Sequence, residues 1–104
     1  MWDELPIEMR EDHIQASATL MRDPTGFETA CRRAVDEWPN SCAVAMTTPS
    51  MNLKAWIGHA GSCIATGTPE HLTRQGWRML SEAEQDAAND AAQRAIEYWR
   101  QKNA

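Results

Sequence analysis

No stretch of the sequence is apolar for the ~18–20 residues that a membrane-spanning helix needs, so no membrane role is expected. The opening residues, MWDELPIEMREDH, lack the basic start and apolar run of a secretory signal. Cysteine is scarce. Cys31, Cys42 and Cys63 are an odd number, without the spacing of a disulfide framework. Together these absences point to the cytoplasm and to reduced thiols. Positive charge is also in short supply: 10 lysines and arginines face 15 acids, a formal net charge of −5. Sequence-independent nucleic-acid binding relies on cations at phosphates, so no direct nucleic-acid partner is expected. A protein partner with a basic surface suits this charge better.

The familiar catalytic signatures are missing as well. Residues 55–67, AWIGHAGSCIATG, are rich in glycine and hold His59, Ser62 and Cys63. They contain no phosphate-loop lysine after the glycines, no G-x-G-x-x-G order after a strand, and no G-x-S-x-G elbow. His59 and Cys63 lie four apart, which places them on one face of a helix, and His71 follows in the next segment. A metal or thiol site on His59, Cys63 and His71 is therefore the alternative reading. The chain has neither C-x-x-C nor H-E-x-x-H spacing to make it specific. Cys63 stands among Ile57, Ala60 and Ile64, where a cysteine behaves as a small hydrophobe.

What is present is helical patterning. At 104 residues the chain has room for one hydrophobic core, and residues 1–104 are read as a single domain. A first helix is expected over about 6–21, with Ile14, Ala18 and Met21 on one face. Asp23 and Pro24 then open a clear amphipathic helix, in which Phe27, Ala30, Cys31, Ala34, Val35 and Trp38 recur at spacings of three and four. Residues 40–49 alternate as a strand would. No second strand exists to pair with them, so a short helix is preferred. Ser50 or Asn52 caps the next helix, and Gly67 stands where a terminating glycine belongs. Thr68 and Pro69 are expected to start another as cap and first residue. Finally, Ser81 and Glu84 form a capping box ahead of a long alanine-rich helix that runs to about residue 101. The expected fold is an all-α bundle of five to six short helices.

Two interior glycines in one helix each cost ~1 kcal/mol relative to alanine and call for a close neighbour. The slim helix bearing Ala87, Ala88, Ala91, Ala92 and Ala95 is expected to be that neighbour of Gly58 and Gly61. The tryptophans, Trp2, Trp38, Trp56, Trp77 and Trp99, are expected to anchor the core, since phenylalanine and tyrosine occur once each.

With residues 55–67 assigned to the interior, function falls to the surface. Glu82, Asp86 and Asp90 stand at i, i+4 and i+8, about 6 Å apart along a helix, close to the spacing of phosphates on a nucleic-acid strand. A second acidic cluster holds Asp3, Glu4, Glu8, Glu11 and Asp12. Like charges four apart repel on a helix, a small cost that a binding surface explains. Short, acidic, tryptophan-bearing and helical, the chain resembles small accessory proteins of phages and other mobile elements, including some anti-CRISPR proteins. The likeness is one of size and texture, and transfers no functional residue. The expectation is a non-enzymatic protein-binding module, with no cofactor and no metal. It would dock on a basic, nucleic-acid-binding protein partner through Glu82, Asp86, Asp90, Glu8, Glu11 and Asp12. Direct DNA binding through Arg32, Arg33, Arg74 and Arg78 is the least favoured alternative.

Overall fold

Local signals resolve into six helices in the computed structural model, which describes residues 7–50 and 52–102, the side chains of Ile7, Glu8 and Met46 excepted. In order these are α1 (Ile7–Met21), α2 (Pro24–Glu37), α3 (Pro39–Thr47), α4 (Leu53–Thr66), α5 (Glu70–Arg78) and α6 (Glu82–Lys102). Among the described residues there is no strand, and no helix is long and apolar enough to cross a membrane. Residues 40–47 are helical, as the want of a strand partner implied, and Thr48 closes the helix in an extended conformation.

The helix ends follow the chemistry of their residues. Asn52 accepts a hydrogen bond from the Ala55 amide at 3.2 Å, and Gly67 closes α4 at φ +67°, a conformation that favours glycine. Ser81 and Glu84 cap each other reciprocally, with bonds of 2.8 and 3.1 Å. One cap differs from expectation. The capping residue of α5 is Pro69, not Thr68. Thr68 is fully buried and donates its hydroxyl to the His13 carbonyl at 3.2 Å, so its oxygen ties α1 to the α4–α5 turn.

The central helix is α4, which packs against all five others. Its closest companion is α2, a correction to the expected pairing with the alanine helix. A β-carbon placed on Gly61 would sit 2.9 Å from the Cys31 amide nitrogen and 3.0 Å from the Ala30 carbonyl carbon. The absent side chain is what lets the two backbones meet. Gly58 faces the tip of the Phe27 ring instead, at 3.3 Å. The alanines of α6 are still buried, and α6 packs against both α2 and α4. A second seam joins α1 to α5, where a β-carbon on Gly76 would lie 2.9 Å from the Ile14 carbonyl oxygen. Between α1 and α4 the buried hydroxyls of Ser17 and Ser62 share a 2.7 Å hydrogen bond, each satisfying the other.

The tryptophans sit further out than expected. Trp56, Trp77 and Trp99 are half-buried against the core, and Trp2 lies outside the described residues. Trp38 serves as C-cap of α2 and N-cap of α3, and remains 43% exposed. The α2 pattern ends one turn early for this reason. Pro39 diverts the chain into α3 before the indole can turn inward.

Candidate functional site

The long helix α6 carries the acidic candidates because its two sides divide cleanly. Alanine has the highest helix propensity, and Ala88, Ala91, Ala92 and Ala95 bury one slim side with Ile96. At 3.6 residues per turn the acids fall in a sector roughly opposite that seam. Glu82, Asp86 and Asp90 are all exposed there. The same sector carries Glu97, which extends the row to a length of about 22 Å, with Arg100 beyond it. Glu97 is absent from the sequence-derived set, although its place on the face is legible from spacing alone: it lies seven residues, two turns, beyond Asp90.

What sets this row apart is the company other carboxylates keep. Glu28 binds Arg94 and Arg32, and this contact holds its carboxyl below the usual range. Asp36 accepts from Lys102 and Tyr98 and is likewise lowered. Glu37 pairs with Arg33 at 2.7 Å, Glu70 with Arg74 at 2.6 Å, and Glu84 with Arg22 at 3.3 Å. Glu82, Asp86, Asp90 and Glu97 make no such side-chain bond among the described residues. Asp90 comes nearest to one, with Arg94 four residues on. That arginine is committed to Glu28 across the α2–α6 interface.

The amino-terminal cluster does not join this row. Glu11 and Asp12 are exposed on α1, but α1 meets the start of α6 at its other end, where Arg22 reaches Glu84. Ten residues of helix, about 15 Å, separate that contact from Asp12. Asp3, Glu4 and the side chain of Glu8 lie outside the described residues.

The imidazole and thiol of residues 55–67 point to different neighbours. His59 is half-buried, its Nδ1 3.6 Å from Glu70, and burial lowers its pKa despite that carboxylate. The Cys63 sulfur lies 4.0 Å from the Thr73 hydroxyl, and burial raises its pKa, which disfavours the thiolate. His71 is exposed on α5. Among the described residues no three or more His, Cys, Asp and Glu side chains gather as a metal ion requires. Cys31 is pushed up to about 12 by burial in the core. Of the arginines weighed for DNA, Arg32, Arg33 and Arg74 are each held by a glutamate one turn away.

Compared with protein-family models, curated proteins and solved structures, the chain matches none of them.

Proposed function

We propose that this chain is a non-enzymatic protein-binding module, an inhibitor or accessory factor. In this reading it docks through the acidic face of α6 on a basic, nucleic-acid-binding protein. One contrast carries the reading. Five other acids of the bundle are taken up by internal cations, whereas Glu82, Asp86, Asp90 and Glu97 are exposed and uncommitted among the described residues. A carboxylate already paired has little to offer a partner. A row of unpaired ones offers a negative edge on a rigid helix, and complementary charge of this kind sets encounter rate and register. The spacing along the helix, about 6 Å per step, suits lysines and arginines arrayed to meet phosphates.

The test begins with the partner. It is captured on the tagged chain and identified, and its affinity for the chain is then measured by calorimetry at several salt concentrations. Binding is expected to weaken as salt rises, and a DNA duplex that the partner binds should compete with the chain. Glu82→Lys/Asp86→Lys/Asp90→Lys should weaken binding by about 100-fold or more while the unfolding midpoint stays near that of the unaltered chain. Undiminished affinity in this folded variant overturns the reading. So does a partner that holds the chain and a duplex at once.

A further inference from the structure

A cleft of about 360 Å³ opens between α4, α5 and α6, a size within the range of small-ligand sites. Its floor is apolar, made by Met21, Phe27, Ala88 and Ala92, with the half-buried Trp77 at one side. Its charged lining is of one sign. Lys54 from α4 and Arg74 and Arg78 from α5 line it, and no carboxylate does. Three cations thus converge on one hollow in a chain whose net charge is −5.

The three are not equivalent. Arg74 is engaged by Glu70, which also lies near His59. Lys54 and Arg78 take part in no ion pair or side-chain hydrogen bond among the described residues. Two uncommitted cations above an apolar floor match a molecule with a charged end and an apolar body. Partial enclosure strengthens such pairing, because a charge-assisted hydrogen bond gains as water is excluded. The α6 wall adds Asn89, which can accept or donate without opposing an anion.

We propose that this cleft binds a small organic acid, with its aromatic or aliphatic body on the floor at Phe27 and against Trp77 at the side, and its carboxylate held by Lys54 and Arg78. The site does not involve the acidic row of α6, so either assignment stands without the other.

Backbone-amide NMR titrations with 1-naphthaleneacetate, its neutral analogue 1-naphthaleneacetamide, and inorganic phosphate separate charge from apolar body. The acid should produce saturable shifts confined to residues that line the cleft or adjoin it, at 21, 27, 52–59, 74–78 and 88–92. The amide should bind at least about tenfold more weakly, and phosphate should leave these residues unmoved. Lys54→Gln/Arg78→Gln should lower affinity for the acid by about tenfold or more and leave that for the amide unchanged. Because Arg78 is exposed and Lys54 only half-buried, this variant keeps the fold, which a thermal melt verifies. Ala55→Phe, at an exposed position on the cleft's edge, should block both naphthyl compounds. Equal binding of acid and amide overturns the assignment. So does an absence of saturable shifts with the acid, or full affinity in the double variant.

Discussion

The middle and the start of α4 border regions built by opposite means. Across the middle of α4, helices meet backbone to backbone: Gly61 lies against Ala30 and Cys31, and nearby Ser17 and Ser62 close a buried hydrogen bond. Near its start, beside Trp56, lies the α3 corner, where Val44 is 62% exposed and Trp38 43%. Among the described side chains of α3, only Cys42 and Ala45 are buried in the core. In the first region small residues bring main chains together, and there is no slack for an added atom. In the second, large residues face solvent, and the chain passes by without locking in. The most apolar side chains therefore do not mark the most constrained positions. In this fold the constraint sits at glycine and serine.

Adding a single carbon probes that difference most sharply. Gly61→Ala and Gly76→Ala each place a β-carbon 2.9 Å from a main-chain atom of a neighbouring helix, so a whole helix has to shift. Overpacking of this kind costs about 1–3 kcal/mol or more, against a gain of ~1 kcal/mol in helix propensity. A net loss of about 2 kcal/mol is expected in urea unfolding. Gly58→Ala meets only the movable edge of Phe27 at 3.3 Å and should change stability by less than about 1 kcal/mol. If Gly61→Ala proved as mild as Gly58→Ala, the close approach of α2 and α4 would be refuted.

A smaller effect is expected from the serine pair. Ser17→Ala strands the buried Ser62 hydroxyl, at a cost of about 1–2 kcal/mol. Removing both hydroxyls leaves nothing stranded, so Ser17→Ala/Ser62→Ala should lose less than the sum of the two single changes. Strict additivity in this double-mutant cycle would mean that the hydroxyls do not depend on each other.

How much of this was legible in the sequence depends on whether the signal was local. The Ser81–Glu84 box and the Gly67 terminus each involve residues close in sequence and read correctly, as does the α4 cap, where Asn52 rather than Ser50 takes the place that both could fill. Thr68 did not, because its hydroxyl is spent on His13, 55 residues away. The glycines of α4 announced a close neighbour, but spacing within one helix carries no information about which other helix arrives. Trp38 continued the α2 period on paper, while Pro39 ended the helix beneath it. At the acidic face, Glu97 shares the helical phase of Asp90 and was open to inspection. The cleft was not, since Lys54 and Arg78 are brought to one hollow only when α4 packs against α5.

The smallest effect belongs to α3. Val44 is 62% exposed, so substitution removes little buried area, and alanine is the better helix former. Val44→Ala should thus shift unfolding free energy by less than about 0.5 kcal/mol, in keeping with exposed positions. The same looseness has a dynamic counterpart. An element whose described side chains bury only Cys42 and Ala45 opens with less disruption than one wedged among five helices. Native-state hydrogen exchange should therefore find the amides of Ala43 to Thr47 less protected than those of Ala60 to Cys63 by at least about tenfold. The Thr47 and Thr48 hydroxyls, which bond back to the Val44 carbonyl at 3.0 and 2.9 Å, hold the turn locally without tying it to the core. Equal protection in the two segments would require α3 to open only with the whole bundle, and the division between the two regions would then vanish.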